Sequence, residues 1–384
     1  MIIRKWILLL LVLQFLWLTS CVEEYWPEVD KYENLLVVDG GITNSPGPYI
    51  IKISKSSSID SAVYIPYQGC VLKIMSNDGE EEVLTESIPG IYYTSLMGIH
   101  GEVGKSYKLS ISTPEGNEYE SSYELLKNPV EIDSVYAEVE YHDNGEFNHP
   151  LAGYQFYIDT KMSESDTNYY LWQMQATYHY QSDYYIHWYY TNRLYDFHPK
   201  DSLYNCWRTS GIKDIYTYNS SLIDNNKLEH FPLHYVNTQD RKLTIKYSLL
   251  VNQYTISKNA YKFWNAIEEQ NSEQGALYSH QPYQIKGNLK NINDEEEPVL
   301  GFFLVAAVDS KRIFVERIEA PFYYSYCTFN DGWAKAYGDL GLGGPFDSPQ
   351  YVVYVEGRRG VAHEGCVDCR FYGGTTVKPY FWED

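Results

Sequence analysis

Positive charge is scarce in this chain. Thirty Lys and Arg stand against 51 Asp and Glu in 384 residues, a formal net charge of −21. That deficit excludes a nucleic-acid binder, because phosphate neutralisation needs a basic surface. It equally excludes docking on anionic lipid by charge. The signatures of several enzyme classes are missing too. There is no Gly-x-Ser-x-Gly elbow, no His-Glu-x-x-His pair and no Walker loop. No repeat of solenoid or propeller period occurs. A catalytic carboxylate pair cannot be singled out, since among 51 acids chance pairs are certain. Disorder of the whole chain is excluded by a hydrophobic content of 44%. The length predicts two domains, because single cores stop growing near ~250–300 residues.

The N-terminus carries an address. Arg4 and Lys5 precede an apolar stretch from Trp6 to Leu18, interrupted only by Gln14. That stretch is too short to cross a bilayer, which takes ~20 apolar residues. It ends Leu18-Thr19-Ser20-Cys21, which resembles a bacterial lipobox. Residues 1–20 are therefore expected to be a lipoprotein signal peptide, with Cys21 the acylated N-terminus of the mature protein. Several acyl chains of the palmitate kind make a stable membrane anchor. The acidic stretch from Val22 to Trp26 opens a tether, residues 21–33, and resembles the export tethers of surface lipoproteins in the Bacteroidetes.

Beyond the tether the pattern is period two. Leu35 to Val38 is an apolar run, closed by Asp39-Gly40-Gly41. Tyr49, Ile51 and Ile53 alternate with polar residues, and Cys70, Leu72 and Ile74 share a face. Asn77-Asp78-Gly79 is a hairpin turn that needs positive φ. Tyr107, Leu109 and Ile111 alternate again, before the turn Pro114 to Asn117. Strands with regular turn signals predict an immunoglobulin-like antiparallel β-sandwich over residues 34–128. Asn128-Pro129 marks the expected boundary to a larger β-rich domain, residues 129–384. Its strands include an alternating run from Tyr170 to Tyr180, a second at about Tyr184–Leu194, and candidates at Leu243–Tyr254 and Val299–Val308. One helix is expected from the N-cap Ser257, with Ala260, Phe263, Trp264 and Ile267 on its apolar stripe. The fold class is thus mainly β, with at least one helix.

Six cysteines are present. Cys70, on an apolar strand face, reads as a buried thiol. Cys206, Cys327, Cys366 and Cys369 lie in the second domain, where an exported chain can form disulfides. Four cysteines allow three connectivities, and spacing does not choose among them. Cys366-Val367-Asp368-Cys369 could alternatively be half a zinc site or a redox dithiol. Against zinc stands the lack of a second close pair; against redox chemistry, the absence of a following helix. Structural disulfides are the expected use. The glycine-rich run Gly338–Gly344 precedes Pro345 and reads as a loop. Asp294 to Glu297 reads as a solvated turn, and His179 and His187 as polar residues flanking a hairpin. No cofactor, no metal site and no catalytic residue is expected.

What the chain has in excess is tyrosine, 40 residues, with nine of them between Tyr169 and Tyr195. A packed sheet face accounts for many. The doublets Tyr169-Tyr170, Tyr184-Tyr185 and Tyr189-Tyr190 do not fit that account alone, because adjacent strand residues point to opposite faces. Some rings should line a second face, where Tyr and Trp make adhesive platforms. Tyr170, Trp172, Tyr178, Tyr180, Tyr185, Trp188 and Tyr190 are the ligand-binding candidates.

Several segments carry a resemblance. They are the lipobox, Asp39-Gly40 with Gly47-Pro48-Tyr49, Gly104 with Tyr107, Ile132-Asp133-Ser134, Cys206-Trp207 and His230 to His234. The run from Tyr247 to Trp264, that from Gln284 to Phe302, and the tail with Cys366, Cys369, Gly373-Gly374 and Phe381-Trp382 complete the set. Together they resemble a family of Bacteroidetes lipoproteins of unknown function, over nearly the whole mature chain. The resemblance implies an outer-membrane address and a gene neighbourhood beside TonB-dependent receptors, and it brings no catalytic residues. The expected function is a lipid-anchored, non-enzymatic ligand-binding or accessory partner of such a receptor, possessing a membrane attachment and no nucleic-acid partner. Rival expectations are a structural or adhesive surface protein and an extracytoplasmic hydrolase.

Overall fold

The protein is described by a computed structural model. It describes residues 34–57, 63–162, 168–190, 194–222, 227–273, 284–330 and 350–383. The expected signal peptide, Cys21, the tether and the run Gly338–Gly344 lie outside the described residues. The principal elements of the first half are β1 (Leu36–Thr43), β2 (Ile50–Lys55), β3 (Val71–Ser76), β4 (Ser106–Ser112), β5 (Glu118–Ser121), β6 (Ile132–His142), β7 (Leu151–Thr160) and β8 (Tyr169–Gln181). Those of the second are β9 (Trp188–Tyr190), β10 (Asn205–Gly211), β11 (Phe231–Asn237), β12 (Lys246–Ile256), α1 (Lys258–Glu273), β13 (Leu289–Asn291), β14 (Leu300–Glu316), β15 (Gln350–Val355), β16 (Arg358–Ala362) and α2 (Glu364–Val367). The fold is mainly β, in several largely antiparallel sheets, with no closed barrel among the described residues. No described helix is long and apolar enough to cross a membrane.

The alternation read from the sequence is the alternation of burial. Tyr107, Leu109 and Ile111 on β4 are fully buried, with half-exposed polar residues between them. They meet Leu72 and Ile74 of β3, and Ile51 and Ile53 of β2, in one two-sheet core. Cys70 is a buried free thiol in that core. Gly79 supplies the positive φ of the turn after β3. On α1, the Ser257 Oγ accepts from the Ala260 N–H at 3.0 Å, a helix N-cap.

Two expectations fail here. Asp39-Gly40-Gly41 does not close the first strand, which continues to Thr43. From Val37↔Leu300 to Thr43↔Ala306, β1 pairs in parallel with β14. The glycines permit this approach: a Cβ on Gly41 would overlap the Leu304 carbonyl, and Gly301, at φ +89°, would clash similarly with Val38. The boundary at Asn128-Pro129 does not divide the cores either. Leu289, Phe303, Val305 and Ala307 belong to the first core. β13 adds to β5 at the edge of its second sheet. Strand β14 then continues antiparallel to β12, from Thr255↔Ala307 to Lys246↔Glu316. One seventeen-residue strand thus serves both units. Its period-two pattern shows this sharing only when the two units are known to meet.

The second unit is centred on the run β10–β8–β12–β14. One face of β8 meets the three-stranded sheet β6–β7–β11, where Trp172 and Met174 pack with Phe156, Ile158 and Leu233. The other face, with Leu171 and Ile256, is covered by Ala260 and Phe263 of α1. A five-stranded sheet containing β9, β15 and β16 forms a separate cluster with α2.

Candidate functional site

The tyrosine strand β8 divides into two ends. At its start, Tyr170 and Trp172 are fully buried. Trp172 donates its Nε1–H to Gln253 Oε1 at 3.0 Å and stacks on Phe231 at 4.8 Å. These two are core residues, a correction to their candidacy as an adhesive platform. The doublet Tyr169-Tyr170 does split between two faces, as strand geometry requires, but the second face is not open. Tyr169 lies beside Tyr261 of α1, with ring centroids 5.0 Å apart.

At the other end of β8, Tyr178 and Tyr180 line a cleft of about 590 Å³. That volume suits a small ligand of one or two rings. Its rim includes Arg208 and Ser210 of β10, the turn Asp240-Arg241-Lys242 between β11 and β12, and the rings of Tyr324 and Tyr372. A second space of about 260 Å³ shares Arg241 and Tyr324 and adds Asp183, Tyr204 and Arg317.

Two disulfides place its aromatic walls. Cys206 on β10 bonds to Cys369, with S–S 2.01 Å. Cys327 bonds to Cys366, with S–S 2.14 Å. The Cys-x-x-Cys residues therefore pair outward, each with a distant partner, which settles the connectivity left open by their spacing. Tyr372 follows Cys369 by three residues and Tyr324 precedes Cys327 by three. The tail is held further where Trp207 and Thr375 exchange two main-chain hydrogen bonds of 2.8 Å. Gly374 sits so close to Tyr180 that a Cβ would strike its hydroxyl.

Arg241 is the hub. Its guanidinium lies 4.4 Å from the Tyr324 ring centroid and 5.4 Å from that of Tyr372. Its Nη2 donates to Asp183 Oδ2 at 2.7 Å, and both side chains of this pair are largely buried. Its Nη1 donates to the Gln181 carbonyl at 3.2 Å. Burial disfavours the Arg241 charge, yet the Asp183 carboxylate outweighs it and the pKa is raised. Burial pushes the Tyr180 hydroxyl up to about 12 and raises that of Tyr178. The cleft thus presents cations and the Tyr178 phenol, groups that donate hydrogen bonds to anions, while the Tyr180 hydroxyl is committed to the Cys369 carbonyl.

The remaining candidates are scattered. Tyr185 is exposed and stacks on Tyr204, centroids 3.7 Å apart, so it braces the smaller space from outside. Trp188 is half-buried in the five-stranded sheet, under the Arg359 guanidinium at 4.6 Å. Tyr190 pairs through its backbone with Leu194 and Gln350, and its side chain lies outside the described residues. His179 and His187 do not flank one hairpin. His179 stacks on Trp207 at 4.8 Å in the large sheet, and His187 beside Trp188 at 5.4 Å. Asp294 to Glu297 is a turn, as expected, whose Glu297 accepts from Tyr119 at 2.9 Å. Among the described residues no group of three His, Cys, Asp or Glu could hold a metal ion.

Arg208, Arg241, Lys242, Tyr324 and Tyr372 were not among the sequence candidates. One signal could have found Arg241 and Lys242: adjacent cations between two strands of a strongly acidic chain.

No curated protein matches this sequence. A family model, described as a domain of unknown function (DUF4249), matches residues 22–312. Cys327, Cys366, Cys369, Tyr324 and Tyr372 lie beyond that match, so part of the cleft wall falls outside the region the family defines. With most of its length matched, the chain belongs to the DUF4249 family of unknown function.

Proposed function

We propose that this protein is a lipid-anchored, non-enzymatic ligand-binding component of the bacterial outer membrane, exposed at the cell surface and working beside a TonB-dependent receptor. The anchor rests on the leader ending in Cys21. The ligand-binding reading is carried by one observation: the cleft in which Arg241 is clasped between Tyr324 and Tyr372. Cations and phenols held by a buried ion pair and two disulfides are preorganised to receive a ligand, which lowers the ordering cost of binding. The cleft groups named above include no nucleophile paired with a base, and this favours capture over turnover.

The test is recovery of the tagged protein from solubilised outer membranes. Acyl labelling that depends on Cys21, with a TonB-dependent receptor recovered alongside, is the expected result. A protein recovered without label or receptor overturns the reading.

One surface favours the adhesive alternative. On the face of β6–β7–β11 turned away from the core, the Tyr157 and His230 rings stack at 3.9 Å, and His142 and Tyr235 at 4.0 Å. Glu140 accepts from Tyr157 and lies 2.6 Å from His142. In this ladder His230 is exposed, His142 and Tyr235 are half-buried, and Tyr157 is buried beneath His230. Protease treatment of intact cells tests the outward placement that adhesion needs: protection would exclude it.

A further inference from the structure

We propose that the cleft between β8, β10 and the C-terminal tail binds an acidic sugar, with Arg208 receiving its carboxylate or phosphate. The inference rests on the ligand-binding reading above only in treating this cleft as the site.

The cations of the cleft are not equivalent. Arg241 is committed to Asp183 at 2.7 Å. Lys242 lies within ion-pair distance of Asp240. Arg208 has no carboxylate within ion-pair distance among the described residues, and its Nη1 donates at 2.8 Å to a neutral acceptor, the Tyr372 carbonyl. Arg317, on the adjoining space, likewise donates to the Thr244 carbonyl at 3.3 Å. The two spaces together hold four cations against the two carboxylates Asp183 and Asp240. In a chain of net charge −21 this is a local inversion of sign. A guanidinium that lacks a carboxylate offers a planar fork matched to carboxylate or phosphate oxygens. The net charge of −21 on the chain disfavours a long polyanion and favours a small anionic ligand at this point.

The rest of the lining selects what carries the charge. Tyr178 and Tyr180 form one wall, Tyr324 and Tyr372 another, and Ser210 adds a hydroxyl. Phenols flanking a space of about 590 Å³ suit a ring with an apolar face and polar edges. A pyranose has both. The Tyr180 hydroxyl is committed to the Cys369 carbonyl, but the Tyr178, Tyr372 and Ser210 hydroxyls can each donate to or accept from sugar hydroxyls.

The experiment is calorimetric titration of the detergent-solubilised full-length protein with digalacturonate, its dimethyl ester and glucose 6-phosphate. Binding of the acid, with the ester at least about tenfold weaker, is expected; tenfold corresponds to about 1.4 kcal/mol. Glucose 6-phosphate separates the two sources: tighter binding than digalacturonate assigns a phosphorylated sugar, weaker binding a carboxylated one. Arg208→Gln should weaken the acid at least about tenfold and leave the ester unchanged. Arg208→Lys should restore part of the loss, and Arg359→Gln, outside the cleft, should change nothing. An ester that binds as tightly as the acid overturns the proposal, and that comparison needs no variant. So does the absence of heat with either anion up to about 10 mM. A protein that binds the acid but is recovered without a receptor loses the receptor partnership and keeps this site; recovery of the receptor with no acid binding does the reverse.

Discussion

The Tyr180 hydroxyl donates to the main-chain carbonyl of Cys369 at 2.5 Å, across 189 residues of sequence. Through that bond one wall of the cleft and the tail that carries another become one structure. Tyr180 comes from a strand legible in its alternation, whereas Cys369 belongs to a segment with no regular pattern. The Cys206–Cys369 disulfide makes the same junction covalently, since Cys206 pairs with Tyr180 in the β8–β10 register.

Removing the disulfides should therefore act unequally. The Cys206–Cys369 link spans 163 residues and Cys327–Cys366 spans 39. Loop-closure entropy sets ceilings of about 5 and about 4 kcal/mol respectively. Chemical denaturation of the two double Ser variants should show the larger loss for Cys206/Cys369. Acid-sugar binding should fall with it, because Tyr372 is released. Variants that unfold at the parent midpoint would remove any structural role for these bonds.

Asp183 is the counter-charge of Arg241 and also accepts from the Cys327 N–H at 3.2 Å. Replacing it with Asn leaves a buried guanidinium without its carboxylate. Breaking a buried pair from one side costs about 3–5 kcal/mol. Asp183→Asn should lower stability by about that amount in urea unfolding, whereas a shift under about 0.5 kcal/mol would mean the pair is solvated like a surface one.

Cys70 is the free thiol of the first core. Burial pushes its pKa up to about 11. The reactive species is the thiolate, so at neutral pH this sulfur is inert both by protonation and by access. Iodoacetamide at pH 8 should leave Cys70 unmodified in the folded protein and alkylate it once urea unfolds the chain, as read by intact mass. Rapid alkylation without denaturant would contradict its burial.

His234 on β11 gives stability a pH dependence. Burial holds its pKa near 4, against the weaker opposing pull of Asp214 at 3.9 Å and with Lys242 reinforcing the shift. An unfolded His titrates near 6.5. Below that value the unfolded chain takes up a proton that the folded chain refuses until about pH 4. The contribution is level above about 6.5 and turns destabilising as pH falls from there to about 4, by up to about 3 kcal/mol. His234→Leu should flatten that part of the curve in urea unfolding at pH 7 and pH 5. An unchanged slope in the variant would assign the acid sensitivity to other groups.

The sequence carried the local features because they are decided locally. Tyr107, Leu109 and Ile111 announce β4 by period two, Ser257 announces α1 by its cap, and Cys70 announces its burial by its strand face. Tyr170 and Trp172 show where this stops. Alternation identifies a buried face but not whether the opposite face also has a cover, and here α1 and the β6–β7–β11 sheet cover both. The cleft was hidden for a related reason. Arg208, Arg241, Tyr324 and Tyr372 come from a strand, a turn and two irregular segments, and disulfides whose pairing spacing cannot decide bring them together.

The pairing of β1 with β14 is masked by its glycines, which in a sequence look like the end of a strand. Their role is contact: Gly41 faces Leu304 and Gly301 faces Val38, each without room for a methyl group. Gly41→Ala should therefore act on the two units at once, since β14 also pairs with β12 along ten residues. At an ordinary strand position with negative φ, Gly→Ala is neutral or favourable, because it removes unfolded-state entropy. Here the Cβ would overlap a main-chain oxygen that cannot rotate away, so the strands must separate. The expected loss is more than about 2 kcal/mol, in the range of overpacked core sites. Hydrogen exchange should show lost protection from Val37 to Thr43 and from Leu300 to Ala306 together. Protection lost on β1 alone would mean that β14 is held by β12 without help from the first core.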